Sequence, residues 1–562
     1  MPQAPIPVEA ETRVIETLSG SWSFPYVRGL AGGGWVVTWS GNGNGDDRGV
    51  FQQVYNADGS KKGGEVLVNT TVAGRQSGGH TSSLADGGWI VIWSGNGESA
   101  GNEDDAGAFL QVYNADGSRR GGEILVNTTK EGSQAAYSVS VLANGDWVVT
   151  WTGPDPESSN PEDRLIFQQL LNPDGSKKGN EIQVSTDSRH QSFHQLAALS
   201  DGGWVVTWSG YSPGADPQYD VDVFQQVFNA DGSRRGAETL VNTTTAGQQF
   251  GSGLTALSNG KWVVTWYRLD LFGMDDPNAV DPKGVYQQVY NADGSKSGGE
   301  ILVNTTTVGT QQVPSVTALA NGEWVVTWIG PDSGLTGEAG FNDHGIYQQV
   351  FNADGSKKGG EIRVNTTTVG VQTSPSIATV SRGEWVVVWQ GDGAGDDTGI
   401  FQQRFRLEGA TAPVPPADLV LVGTKRTDKL VGGAGHDKLY GKSGKDVLTG
   451  GAGQDIFVFD TKPNKKKNLD TIRDFSVADD TIWLDNKIFK KLGKKGSEAK
   501  PVKLNKKFFS LEKAKGKDDY LVYSKKKGIL YYDADGSGAG KAVEIAKMTK
   551  KLKLTANDFF VV

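Results

Sequence analysis

Along most of the chain, hydrophobic and polar positions alternate with the period of a β-strand. The clearest run is of the type Trp-Val-Val-Thr-Trp, with indoles four residues apart at Trp35/Trp39, Trp89/Trp93, Trp147/Trp151, Trp204/Trp208, Trp262/Trp266, Trp324/Trp328 and Trp385/Trp389. In a strand, residues i, i+2 and i+4 share a face, so both indoles point one way and the intervening residues the other. Apolar residues on both faces mark a strand buried on both sides. After each pair comes a variable loop rich in glycine and acid, then a second strand such as Gly49–Asn56. An Asp-Gly turn follows at Asp58 and around Asp116, Asp174, Asp231, Asp293 and Asp354, a strong hairpin signal. A third strand opens at Glu65, Glu123, Glu181, Glu238, Glu300 and Glu361, and a short segment of small and polar residues, such as Val313–Leu319, precedes each pair. Four antiparallel strands repeated seven times predict an all-β, seven-bladed propeller. The seventh repeat stops after Phe401–Leu407, while Glu11–Thr17 carries the Glu-x-x-Val pattern of a fourth strand. The expectation is that 11–17 completes the last blade and closes the ring, removing exposed edges.

Composition adds constraints. The 562 residues include 77 glycines and no cysteine, so neither disulfides nor thiolate metal sites exist. No stretch approaches the roughly 18 apolar residues of a membrane helix, and Met1–Thr17 lacks the apolar core of a secretory signal. The net charge of −9 is uneven, near −21 through Ala410 and +12 from Thr411 onward. Pro413, Pro415 and Pro416 sit on that divide. The predicted organisation is therefore a propeller over 1–409, a proline-rich linker over 410–420 and a second domain over 421–562.

The tryptophans read first as packing between blades, with a sugar platform as the alternative. The variable loops collect Asp46, Asp47, Glu103, Asp104, Asp105, Glu162, Asp163, Asp220, Asp222, Asp275, Asp276, Asp343, Asp396 and Asp397, with Phe272, Met274 and Phe341 in the larger ones. They read as a solvated acidic rim or as a ligand face, since loops on a rigid scaffold carry binding. Gln76, Gln134, Gln191, Gln249, Gln312 and Gln372 recur in the short segments and are expected to line the channel or tie the blades. The Asn-Thr-Thr sequons at Asn69, Asn127, Asn242, Asn304 and Asn365 recur because the strand recurs. No zinc-protease motif, nucleophile elbow or sialidase Asp-box occurs, and the five histidines show no metal spacing.

From Gly423 the period falls to nine, in units reading GTKRTDKLV, GGAGHDKLY, GKSGKDVLT and GGAGQDIFV. Glycine permits tight turns that aim carbonyls at an ion, aspartate adds a hard anionic oxygen, and calcium takes six to eight oxygens. Leu430, Leu439, Leu448 and Phe457 follow as inward apolar positions. These units resemble the RTX, or hemolysin-type, calcium-binding repeat. The resemblance implies a parallel β-roll binding Ca2+, in which Asp428 pairs with Asp446 and Asp437 with Asp455, beside Gly432, Gly433, Gly435, Gly450, Gly451 and Gly453. Lys425 and Arg426 stand where glycine is usual, which weakens the Asp428 half-site. Downstream, Asp470–Phe475, Asp479–Leu484 and Leu530–Gly538 resemble serralysin-type tails, in which Asp474 helps finish the last calcium turn. Asp533 and Asp535 read as calcium ligands or as a hairpin turn. Asp558–Val562 resembles the terminus of type I secretion substrates. The WVVTW units themselves resemble repeats often fused to RTX tails in secreted bacterial proteins.

The lysine clusters at Lys465–Lys467, Lys490/Lys491, Lys494/Lys495, Lys506/Lys507 and Lys525–Lys527 read as a solvated face or as attraction to a polyanion, without a nucleic-acid module. The leading expectation is a secreted or cell-surface calcium-binding protein of adhesin or lectin type, exported by a type I secretion apparatus and facing an extracellular glycan or cell-surface ligand. A polysaccharide-active enzyme with carboxylates at the propeller mouth and a structural matrix or surface-layer component are the alternatives. No catalytic residue is singled out, and neither nucleic acid nor a transmembrane segment is expected.

Overall fold

The computed structural model describes residues 4–16, 22–43, 45–72, 74–96, 106–160, 163–187, 191–211, 221–245, 247–269, 284–307, 309–319, 322–331, 344–368, 370–381, 383–393, 396–408, 418–433, 435–451, 453–477, 479–493 and 496–562. The chain divides into two compact units, Met1–Ala410 and Thr411–Val562. Among the described residues helix is confined to three-residue 3-10 turns such as Lys490–Leu492 and Ala556–Asp558, and no helix is long and apolar enough to cross a membrane.

The first unit is built from repeated four-stranded antiparallel sheets. In one, Trp22–Gly29, Trp35–Gly43, Asp46–Tyr55 and Val66–Leu67 lie side by side in that order, and the tryptophan strand stands second in each repeat. The fourth and fifth repeats also touch through one parallel pair, Val221↔Gln248. The five residues from first to second tryptophan are buried in every repeat. Each first indole but Trp147, which faces Leu171, stacks on the aromatic residue opposite, as Trp35 does on Tyr55 with centroids 5.0 Å apart. Burying an indole of 150–250 Å² is worth roughly 4–6 kcal/mol before chain entropy is subtracted.

Polar side chains then join one sheet to the next. The indole Nε1 of Trp89 donates to Gln52 of the preceding sheet at 2.9 Å, and Trp204, Trp262, Trp324 and Trp385 do the same to Gln168, Gln225, Gln287 and Gln348. Trp35 donates to Gln402 of the last repeat at 3.0 Å. At the remaining junction Leu110 replaces the glutamine and packs in one apolar cluster with Trp147. A second series runs along the outer edge. The backbone N–H groups of Thr70, Thr128, Thr186, Thr243 and Thr305 donate to Glu123, Glu181, Glu238, Glu300 and Glu361 of the following sheet. Thr366 donates instead to Glu11, at 2.7 Å, and Glu16 N–H donates to Glu65 at 2.5 Å.

The last repeat has Gln372–Ser381, Glu384–Gly393 and Asp396–Leu407 as its own strands. Thr12–Arg13 pairs antiparallel with its Phe401–Gln402, and Pro5–Pro7 pairs with Phe405–Leu407. Thr17 lies outside the described residues.

On the first strands of the first four repeats, four rings follow one another. Tyr26 meets His80 at 3.7 Å, His80 meets Tyr137 at 5.5 Å and Tyr137 meets His194 at 4.4 Å between centroids. Burial holds the His80 and His194 imidazoles neutral, each with a pKa lowered to about 3.

The second unit is organised differently. Val420–Val422, Lys438–Tyr440, Ile456–Phe459, Thr481–Leu484 and Phe559–Val561 pair in parallel in one sheet. Lys429–Gly433, Val447–Gly451, Asp470–Ile472 and Val543–Lys547 pair in parallel in the other. Partners such as Leu421↔Leu439 and Leu430↔Leu448 are 18 residues apart, two nonapeptides, so consecutive units alternate between sheets. Leu439, Leu448 and Phe457 are fully buried between them with Ile472 and Ile482.

Candidate metal centre

The nine-residue period dictates the geometry here. Each unit spends about half its length on a strand that buries one apolar residue and the other half on a turn that returns the chain to the opposite sheet. Turns of alternate units therefore stack, and their glycines meet. A Cβ on Gly451 would strike the Gly433 carbonyl, and one on Gly453 would strike the Gly435 carbonyl. Gly433, Gly451 and Gly453 also hold φ of 147°, 105° and 122°, a region that side-chain-bearing residues rarely adopt.

The aspartates form two stacks. In one, Leu419 N–H donates to Asp437 Oδ1 at 2.7 Å, Asp437 N–H to Asp455 Oδ1 at 2.9 Å, and Asp455 N–H to Asp480 Oδ1 at 3.0 Å. In the other, Asp428 N–H donates to Asp446 Oδ1 at 2.8 Å and Asp446 N–H to Asp470 Oδ1 at 3.1 Å. Each bond fixes one carboxylate oxygen, and at Asp480 the other is taken too, by Ser476 N–H at 2.8 Å. The Oδ2 atoms of Asp437, Asp446 and Asp455 are buried and accept no hydrogen bond. They lie where a glycine side chain would be. A Cβ on Gly432 would meet Asp437 Oδ2 and the Gly450 carbonyl, one on Gly450 would meet Asp455 Oδ2, and one on Gly441 would lie 2.9 Å from Asp446 Oδ2.

Buried anionic oxygens without donors cost several kcal/mol each unless a cation or proton meets them. Several carboxyl pKa values in the stacks are raised. Burial, with smaller repulsion from neighbouring aspartates, lifts Asp446, pushes Asp455 up to about 6 and pushes Asp470 and Asp480 up to about 7. Among the described residues no three carboxylate or imidazole side chains converge as one metal cluster; the carbonyls of Gly433, Gly435 and Gly450 lie in the same stacked turns and could add oxygens to a shell. A donor set of hard oxygens rich in carbonyls fits calcium.

The residues singled out from the sequence fall into place unequally. Asp437, Asp455, Gly432, Gly433, Gly435, Gly450, Gly451 and Gly453 lie along one stack. Asp428 and Asp446 lie on the other, but Asp428 Oδ2 is taken by Thr424 N–H at 2.6 Å and by the Thr424 hydroxyl. Asp474 accepts from the N–H groups of Gly450 and Gly451 at 3.0 and 2.8 Å, bracing that turn. The sequence reading missed Asp470 and Asp480 as members of the stacks. Insertions stretch their spacing from 18 to 24 and 25 residues, and the surviving signal is the shared Asp-Thr-Ile at Asp470 and Asp480.

The RTX calcium-binding nonapeptide repeat profile matches four copies across residues 422–457. These four units are RTX calcium-binding repeats. Calcium is thus the cofactor of the second unit. No curated protein matches the chain by sequence. Among solved structures, a protein of unknown function from Dyadobacter fermentans is 11% identical, with 72% of this chain and 99% of that one covered at a TM-score of 0.43. The α-L-arabinanase of Penicillium chrysogenum is 11% identical over 58% of this chain and 92% of its own, at 0.38. The NanB sialidase of Streptococcus pneumoniae is 12% identical over 72% and 71%, at 0.38.

In the first unit, the described loop carboxylates are engaged locally. Asp46 accepts from Arg48 N–H and Asn69 Nδ2 at 2.9 and 2.8 Å. Asp222 accepts from Asn242 at 2.6 Å, and Asp163 accepts from Ser158 and Asn160. The side chain of Asp47 and those of Asp396 and Asp397 lie outside what is described, as do Glu103, Asp104, Asp105, Glu162, Asp220, Asp275, Asp276, Asp343, Phe272, Met274, Phe341 and the linker prolines. Gln76, Gln134 and Gln372 accept from the second indole of their own repeat, at Trp93, Trp151 and Trp389. In the sixth repeat Gln311, one residue earlier than expected, takes that role for Trp328. Asn69, Asn127, Asn242, Asn304 and Asn365 are buried and accept a strand N–H, which makes them structural residues.

Proposed function

We propose that this chain is a secreted, calcium-dependent binding protein: a closed seven-bladed propeller over 1–409, a linker over 410–420, and an RTX β-roll over 421–562 that a type I secretion apparatus exports. The observation carrying the calcium half is the row of buried, donor-less Oδ2 atoms on Asp437, Asp446 and Asp455. Asp437 and Asp455, with the carbonyls of their glycine turns, are the principal ligands, Asp446 and Asp470 hold a second set, and Asp474 positions the Gly450–Gly451 turn. When bound, calcium supplies the countercharge that lets these carboxylates stay buried. In low calcium their repulsion disfavours the stacked turns, so the chain leaves the cell unfolded and folds outside.

Two features support the export reading. No disulfide is needed for folding. The terminal Phe559, Val561 and Val562 are buried in the folded unit, with Phe559–Val561 paired to Ile482–Leu484, so an exporter reads that segment before folding. Closure of the propeller is supported by the edge series, in which Glu11 and Glu16 stand where the other repeats have a glutamate and its donor. A binding role is favoured over a glycosidase because Asp46, Asp163 and Asp222 hold their own loops together.

The test is a calcium titration of the full chain after chelation, followed by circular dichroism, with a glycan array and a reducing-sugar assay on the calcium form. Calcium-driven gain of β-structure with glycan binding and no turnover is expected. An unchanged spectrum would sink the calcium mechanism, and sugar release would replace the binding reading with the enzymatic one.

A further inference from the structure

The second unit gathers six lysines from two separate stretches of chain. The turn Ser524–Gly528 closes the hairpin of Leu521–Ser524 and Ile529–Tyr532. The later segment then docks beside it, through Met548 N–H to the Gly528 carbonyl at 2.8 Å and Lys551 N–H to the Lys525 carbonyl at 2.9 Å. Lys547 pairs opposite Ile529, and the stem of Lys550 crosses Gly528, its Cγ 3.2 Å from where a Cβ would stand. Lys525, Lys526, Lys527, Lys547, Lys550 and Lys551 thus share one end of this sheet. Lys525 is half-buried and the others are exposed.

This end of the sheet carries a net positive charge. Among the described residues no ion pair involves any of the six. Glu512, beside them, accepts from Lys525 N–H and the Ser524 hydroxyl, and its single charge offsets one of the six. Lys551 also holds φ of 65°, where glycine would sit without strain. A charged side chain thus stands at a position whose backbone favours glycine.

We infer that this lysine end is a binding site for a linear polyanionic polysaccharide. Lysine is a compact point charge without arginine's planar fork, so six of them select charge density rather than the shape of one carboxylate. No large apolar side chain between Leu521 and Lys553 is exposed, so a bilayer would be held by charge alone, without the buried apolar area that strengthens interfacial binding. The inference rests on the fold of the second unit alone and does not depend on the propeller's ligand.

The experiment uses the full chain in calcium on immobilised heparin, with polygalacturonate in solution as competitor. The variant K525Q/K526Q/K527Q/K547Q/K550Q/K551G is expected to lose at least roughly tenfold in affinity, and wild-type binding to weaken as salt screens it. A second variant, K490Q/K491Q/K503Q/K506Q/K513Q/K515Q, removes the same charge elsewhere and is expected to keep most of the affinity. Equal loss in both would mean diffuse attraction and overturn the site, as would wild-type protein that ignores both polymers. Tighter capture by phosphatidylglycerol vesicles would overturn it in favour of a membrane. Circular dichroism in calcium checks folding, and K526E/K550E, confined to two exposed side chains, gives the same reading should the six-site variant misfold. A chain that fails to fold in calcium at all would register by that same measurement as failure of the calcium reading, separately from this one.

Discussion

At the scale of single residues, calcium chemistry here depends on which oxygen of a carboxylate is free. Asp455 gives Oδ1 to the Asp437 N–H and keeps Oδ2 unbonded. Asp455→Asn retains an oxygen for the hydrogen bond and removes the charge, so the calcium midpoint of folding should rise at least roughly tenfold. Asp428→Asn should shift it far less, because Thr424 already occupies Asp428 Oδ2; equal effects in a calorimetric titration would contradict this ranking. Gly451→Ala is a steric counterpart. Its Cβ would collide with the Gly433 carbonyl at a left-handed φ, and the calcium-induced gain of β-structure should be abolished. The letters Gly-Gly-x-Gly-x-Asp made these residues legible. Which oxygen stays free was not legible, because it depends on a donor 18 residues away.

At the scale of strands and sheets, the tryptophan repeat announced the elements, and the partner of each indole came from tertiary structure. Gln402 accepts from Trp35 Nε1 across a sheet junction, 367 residues apart in sequence. Gln402→Leu imitates the natural junction at Leu110, so it should fit sterically and cost about 1–2 kcal/mol for the lost bond and stranded indole N–H. Equilibrium denaturation measures it. No change would show that water replaces the glutamine. In the sixth repeat the expectation is one residue out: Gln311, not Gln312, stands 17 positions before its indole, the spacing of Gln76, Gln134 and Gln372, so counting back from Trp328 finds it.

At the scale of the whole molecule, strand pairing in the first unit joins residues about 400 positions apart, through Pro5–Pro7 and Thr12–Arg13 on the Phe401–Leu407 edge. Removing residues 1–16 should lower its thermal midpoint and expose an edge that aggregates, and adding the excised peptide should restore the midpoint; calorimetry with light scattering reads both. The same unit should be acid-sensitive. His194 is fully buried against Tyr137, with His80 and Tyr26 beyond, and its pKa is lowered to about 3. The unfolded imidazole binds a proton near pH 6.5. Stability is therefore complete above that pH and falls as pH drops from there toward 3, by up to about 1.4 kcal/mol per unit for this group. Urea midpoints at neutral and acid pH should show a shallower slope for His194→Phe than for wild type.

By itself the sequence determined the strand content, the repeat, the two charge regimes and the calcium chemistry, because each is written in local period and residue type. Tertiary structure alone decided which carboxylate oxygens lack donors, that Asp470 and Asp480 continue the stacks, that two distant runs of lysine share one end of a sheet, and which loop acids are already engaged. Those properties arise from contacts between residues far apart in the chain, and a pattern that repeats locally cannot say which of its copies will meet.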